Sequence, residues 1–408
     1  MQYTLCTPVA RTILHADVPP ALIVLPSTLL AALASIPDPR RRQGTRFALA
    51  AILALAVAAI LSNHLSVLAI AEWGASQSQD LLRQLGFPDA ITPHQSTLQR
   101  LFRKLDPTPL STALSRHFAA TQLPRRRPRG SQAVAIDGKA QRGRLACDPN
   151  AGTIHALSAF CHEYGIVLAQ VPIAAGGEKA EAELSVAPAL IERIDWQGRV
   201  FTGDALFCQR NLCHQVVEAG GDYLLLVKEN QPTLCQDIRL LFDPTLPTMP
   251  LTDRREGRTV DHGHGRHKDV RHLVASTDLV GYSDWPALAQ VFRLERTWQK
   301  GGQNHRVVQY GITSLPPRIA DAARLLALKR GHWQIENGLH YVKDVTLNED
   351  RSLIHVGKGP TVMATLRDLT VSLLRRNGIR QIAKQLRHHS RHPEAAVAII
   401  TGHPNENA

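Results

Sequence analysis

Three acidic residues stand where a carboxylate could do chemistry. Asp137 closes the apolar run AVAID and is followed by Gly138 and Lys139. Asp204 follows RVFTG in the same manner, and Glu336 lies in RGHWQIENGLHYVKD, residues 330–344. An acid at the end of a buried strand needs a partner, and two or three converging carboxylates repel one another strongly. A divalent cation resolves that conflict. Oxygen ligands without a dedicated His/Cys cage suit Mg²⁺, with Mn²⁺ as its substitute. Such ions activate water or a 3′-hydroxyl for in-line displacement at phosphorus, which is phosphodiester cleavage or exchange. The ordinary alternatives are a turn Asp and a solvated helix Glu, and composition and periodicity do not separate the two readings.

The surroundings of Glu336 are basic. At about 100° per residue on a helix, Lys329, His332, Glu336, His340 and Lys343 fall within roughly 45° of one line. If Glu336 holds a metal, Lys343 and His340 are expected to face a nucleic-acid backbone. The same residues also read as H-x₃-E-x₃-H, with His332, Glu336 and His340 sharing a transition metal. A zinc hydrolase usually shows HExxH, however, and nothing here supplies its general base. Cys208, Cys213 and His214 suggest a second zinc site but lack a fourth ligand, so ordinary buried thiols are expected there.

A net charge of +12 on 408 residues makes an acidic polymer a reasonable partner, with nucleic acid first, although a basic surface also serves solubility or anionic lipid binding. With 44% hydrophobic and 20% charged residues the chain reads as globular. The six cysteines form no CxxC pair, and the N-terminus lacks a leader-like series, so a reduced cytoplasmic protein is expected. FALAAILALAVAAIL, residues 47–61, falls short of the ~20 residues of a spanning helix and reads as a buried core helix, with no membrane partner.

The elements that must position the acids follow from the periodicity. Residues 1–25 read as an arm and 26–122 as an all-α N-terminal domain. Its basic residues, Arg40, Arg41 and Arg42 among them, could meet phosphates or simply form a solvated face. LPRRRPRGSQ, with Arg125, Arg126 and Arg127, reads as a basic linker over 123–132 that lies against DNA. From 133 to 230 three strands in succession, the last two a hairpin across EYG, give way to strands alternating with helices. That order is the one expected of an α/β, RNase H-like mixed-sheet core. Residues 231–318 alternate as a β-rich insertion. The core resumes over 319–385 with the helix of Glu336, and 386–408 form a C-terminal tail.

Together the motifs resemble the DDE transposases of bacterial insertion sequences, in the group that includes the H-repeat-associated proteins. IPDPRRRQGTRFALAAILALAVAAIL and LSVLAIAEW are similar to that group's N-terminal associated domain, and STLQRLFRKLDP to its end. AIDGKAQRG resembles the first-Asp motif, FTGDALFCQ the second, KENQ the strand beyond it, and HWQIENGLHYVKDVTLNED the final motif. DHGHGRHKDVR and YGITSL are similar to parts of the insertion. The resemblance implies metal coordination by Asp137, Asp204 and Glu336. It implies DNA cleavage at element ends and strand transfer into target DNA, with double-stranded DNA as partner, a dimer or larger assembly during synapsis, and a bacterial, nucleoid-associated location. Of the Tyr, Arg, Glu, Lys signature of related transposases, Lys343 matches, seven residues after Glu336. The Tyr and Arg positions are occupied by Lys329 and His332. A metal-dependent nuclease without strand transfer, and an inactive DNA-binding remnant acting as a repressor, are the alternatives.

Overall fold

The computed structural model describes residues 28–41, 43, 45–122, 128–141, 154–173, 179–243, 251–263 and 266–402. The expected arm, and Arg42, Arg125, Arg126 and Arg127, lie outside the described residues. Six helices come first: α1 (Leu29–Ala34), α2 (Leu49–Leu61), α3 (Val67–Ala75), α4 (Gln79–Gln84), α5 (Gln95–Lys104) and α6 (Pro107–Gln122). Then follow β1 (Gln132–Gln141), β2 (Ile154–Cys161), β3 (Ile166–Ile173), α7 (Lys179–Ile191), β4 (Arg199–Gly203), α8 (Arg210–Glu218), β5 (Asp222–Val227) and α9 (Pro232–Leu241). Four long strands come next, β6 (Arg255–Gly263), β7 (Arg266–Ser276), β8 (Gln290–Lys300) and β9 (Gln303–Thr313). The last helices are α10 (Ala322–Gly331), α11 (Gly359–Arg376), α12 (Ile382–Arg391) and α13 (Pro393–Thr401).

Thr28, Ser66 and Ser78 start α1, α3 and α4 by accepting a backbone N–H three residues on, the usual way to satisfy a helix's first free donors. Helix α2 is apolar on every side, so it must be enclosed. All but one of its residues are buried, and α1, α3, α11 and α13 pack around it. No helix among the described residues is long and apolar enough to cross a membrane.

The fold is mixed α/β on one nine-stranded mixed sheet, ordered β3-β2-β1-β4-β5-β9-β8-β7-β6. Strand β2 runs antiparallel to its neighbours β1 and β3, and β4 and β5 run parallel to β1. RVFTG and DYLLLV are buried at every position, as interior parallel strands covered on both faces must be. Strands β6 to β9 form an antiparallel meander that joins the sheet through β9 on β5, from Leu224↔Thr313 to Val227↔Tyr310. Three features differ from the pattern expected of the sequence. The segment from 231 begins with α9, because Pro232 occupies the first helical turn, where its missing N–H costs nothing. The β-rich stretch extends the main sheet. The expected tail instead carries most of α12 and all of α13, which bury Leu386, His389, Ala396, Val397 and Ile400.

Helix α10 opens at Asp321, whose carboxylate accepts the Arg324 N–H at 2.7 Å. It lies close against β6: a Cβ on Gly257 would stand 2.7 Å from the Ala322 carbonyl carbon. Beyond α10 the chain winds as wider i→i+5 turns over Glu336–His340 and Val342–Thr346. The expected exposed basic stripe is absent, because this side of the segment packs against the core, both before and within the wide turns. Lys329, His332, His340 and Lys343 are all buried. Lys343 Nζ meets Asp368 at 2.8 Å and Glu349 at 3.5 Å, and Arg367 stands 3.7 Å from the other Glu349 oxygen. Two cations and two anions thus balance inside the protein, which a buried cluster requires.

Two stability outcomes follow. Gly257→Ala should cost about 1–3 kcal/mol by forcing α10 off β6, read as a lower urea midpoint. Lys343→Met should cost about 3–5 kcal/mol because it leaves buried carboxylates under-compensated. A midpoint equal to wild type would mean that Lys343 does not belong to this cluster.

Candidate active site

Strand β1 delivers Asp137. The paired register with β4 runs from Gln132↔Arg199 to Ala135↔Thr202, so Asp137 lies two residues past the last pair on β1 and Asp204 two past it on the β4 side, one beyond the strand's end. Asp137 Oδ1 accepts the Gly138 N–H at 2.9 Å. A Cβ on Gly138 would stand 2.0 Å from Glu183 Oε1 of α7, so any larger residue there would displace that carboxylate. Past the acid, Lys139 Nζ bonds Asp344 Oδ1 at 2.5 Å and ties β1 to the wide-turn segment.

Asp204 caps the short turn after β4, where its Oδ1 accepts the Leu206 N–H at 3.0 Å. The KENQ residues hold that turn from behind: Asn230 Nδ2 donates to the Ala205 carbonyl at 2.6 Å, and Gln231 Nε2 to that of Cys208 at 3.0 Å. Lys329 lies near enough to interact with Asp204. Burial pulls its ammonium down to about 8, against the upward pull of that carboxylate. Below, Thr202 Oγ1 stands 3.2 Å from His162 Nε2 and 3.3 Å from His332 Nδ1, and burial pushes both imidazoles down to about 3.

Glu336 is half exposed and faces Asp137. Burial, then the Glu336 charge, push the Asp137 carboxyl up to about 8. Glu336 is held low, chiefly by its contact with His340. His340 Nδ1 lies 3.6 Å from Asp137 Oδ2 and 3.7 Å from Glu336 Oε2. One ligand atom from each of Asp137, Glu336 and His340 lies within 4.8 Å of the others. Among the described residues, neither Asp204 nor His332 belongs to such a group. Cys208 and Cys213 are separately buried thiols, and His214 pairs with Glu218 at 3.0 Å. The trio suits a divalent cation, which would offset the burial of Asp137 and the charge of Glu336 beside it.

The basic residues expected to meet DNA are placed differently. Lys343 is enclosed by the ion cluster, and His340 faces the acids, so neither side chain reaches solvent. Arg40 is spent locally, bonding Asp38 and the Phe47 carbonyl at 2.7 Å each. Arg41 is exposed. The sequence reading missed a groove of about 430 Å³ beside the acids, lined by Arg271, Arg296, Lys329, Arg330, Trp333 and Asn337. Trp333 is 62% exposed there. Two of these six residues, Arg271 and Arg296, come from strands distant in sequence, and the local signal was Arg330 and Trp333 in RGHWQIEN.

The raised Asp137 carboxyl has a consequence for stability. Between about 4, its unfolded value, and about 8, the folded state holds more protons than the unfolded chain, so stability falls as pH rises through that window. Asp137→Asn should therefore stabilise the metal-free protein at neutral pH, and the gain should vanish below about pH 4. Differential scanning fluorimetry across pH in EDTA reads this directly, and a pH-independent difference would contradict it.

Comparison with known proteins follows the same residues. The chain matches the family described as Transposase DDE domain over residues 124–366, and the family described as DDE_Tnp_1-associated over residues 30–118. "Putative transposase YncI" of Escherichia coli O157:H7 is 28% identical over 358 residues, covering 85% of this chain and 87% of that protein. "H repeat-associated putative transposase YhhI" of Escherichia coli K12 is 26% identical over 349 residues, covering 83% and 88%. A piggyBac transposase synaptic complex with hairpin DNA overlaps at a TM-score of 0.40 and 12% identity, covering 93% of this chain and 80% of that one, an overlap too low to carry an argument. With a domain match over more than half of its length, this chain belongs to the DDE-type insertion-sequence transposase family.

Proposed function

We propose that the chain cuts DNA at the ends of an insertion sequence and joins those ends to target DNA, with Asp137, Asp204 and Glu336 as the metal-holding acids of an RNase H-like core. The observation that carries this reading is the convergence of Asp137 and Glu336, from a strand and a late helix, on one another. The register that sets Asp137 and Asp204 each two residues past the last β1–β4 pair supports the third member. Support for the core comes from the β3-β2-β1-β4-β5 half of the sheet, three antiparallel strands followed by two parallel ones.

Mg²⁺ or Mn²⁺ bound there would supply the means to activate water or a 3′-hydroxyl and to stabilise the departing oxygen. The chain's own residues do the rest. Asp137 and Glu336 orient their carboxylates toward a shared point, and the KENQ side chains hold the Asp204 turn. Since Lys343 and His340 are enclosed, the DNA backbone runs along the groove beside Glu336, where Arg271, Arg296 and Arg330 share Asp261 and Asp269 and so keep one positive charge in excess, and Trp333 offers an exposed ring for a base. Arg296 is itself stacked on Trp298, 4.7 Å from the ring centre. Arg41, which is exposed, and the basic residues 42 and 125–127 of the sequence are further candidates for phosphate contact. Two copies meet when two DNA ends are synapsed.

The experiment is cleavage of a labelled fragment carrying the gene's own flanking sequences, with Mg²⁺, with Mn²⁺ and with EDTA. Wild type should cut at the element boundary only with metal. Asp137→Asn, Asp204→Asn and Glu336→Gln should each abolish cutting while DNA binding persists. Full activity in any of the three removes that residue from the triad, cutting without joining favours a nuclease, and specific binding without cutting favours a repressor. Arg330→Ala should lower the slope of log affinity against log salt by about 1, measured by fluorescence anisotropy.

A further inference from the structure

We propose that His340 is itself a ligand of the cation held by Asp137 and Glu336, and that its imidazole biases this centre toward a first-row transition dication over Mg²⁺. The proposal rests on the metal-dependent reading above and adds a residue to it. His340 is 6% exposed, and its Nδ1 points between the two acids at 3.6 and 3.7 Å. Those separations exceed a hydrogen bond. They approach the ~3.0–3.5 Å between neighbouring ligands on one ion whose bonds are about 2.0–2.2 Å.

A purely structural role would show in the ring's other nitrogen, yet Nε2 is buried without a hydrogen-bond partner. On that account the ring is anchored by packing and by the acids alone. Its nearby charge is Asp368, which feels His340 and is bonded by Lys343 at 2.8 Å. Asp368 acts on the ring through its charge alone and does not bond Nε2. Lys139, the other cation near Glu336, is engaged by Asp344 and leaves the position between the acids to His340.

The donor set then decides the preference. Mg²⁺ takes oxygen ligands and gives up water reluctantly, whereas later divalent metals accept imidazole well. One nitrogen among carboxylates therefore penalises Mg²⁺ more than Mn²⁺ or its heavier neighbours.

Mn²⁺ is the probe, added to the full chain with and without a duplex carrying the flanking sequences. Electron spin-echo modulation of bound Mn²⁺ should show an imidazole ¹⁴N coupling in wild type, a readout that needs no variant to fold. In His340→Gln the coupling should disappear and Mn²⁺ affinity should fall about tenfold or more, while competition by Mg²⁺ changes less. Near-ultraviolet circular dichroism checks the variant's packing. Mn²⁺ that binds in an Asp137-dependent way without ¹⁴N coupling would make His340 a counter-ion only and leave the proposed function standing. No binding, or binding indifferent to Asp137→Asn, would overturn both.

Discussion

The repulsion between two carboxyl groups is the interaction around which this molecule is built. Asp137 sits in the middle of β1, just past the point where β4 stops pairing with it, and has Glu336 against it. The fold meets the cost in parts: the Gly138 N–H bonds one Asp137 oxygen, His340 faces both acids, and one proton can be retained on Asp137 at neutral pH. Such an arrangement sacrifices stability to keep a centre of negative charge open on one side, the usual bargain at a site built to receive a cation.

Holding that arrangement requires a rigid backing. Directly behind Glu336 and His340, the Lys343, Glu349, Arg367 and Asp368 cluster joins the wide-turn segment to α11, and α11 packs in turn on α2. On the strand side, Lys139 and Asp344 link β1 to the same segment. The Glu336 side chain is thus fixed from two directions while its carboxylate stays at the surface. Wider i→i+5 turns occur often at functional sites, and here they carry Glu336, His340 and Lys343.

The strands β6 to β9 add to the site without touching the acids. Because β9 pairs with β5, the meander is rigidly continuous with the strands that present Asp137 and Asp204. Arg271 and Arg296 on it thereby reach the groove that begins at Lys329 and Asn337. Asp269 and Asp261 bind these arginines and set their direction, so the groove is pre-arranged as well as basic.

Local patterns were enough to mark the interior strands and the enclosed α2, because a short apolar run between turns and a helix apolar all round each have one economical solution; they offered the three acids only as candidates. The order of strands β1 to β5 was legible for the same reason, as was the family through its motifs. The fate of each basic residue was not. A spacing of about 100° per residue puts Lys329, His332, His340 and Lys343 on one side of a helix but does not say whether that side meets solvent, and here it packs against the core. Nor could the pairing of β9 with β5 be read locally, since it joins segments almost ninety positions apart, or Asp368 be seen as the partner of Lys343. The sequence by itself determined which chemistry-bearing groups exist and which elements carry them. Only the tertiary structure decided which charges meet each other and which face a partner, because that depends on burial and on long-range contacts that no local periodicity encodes.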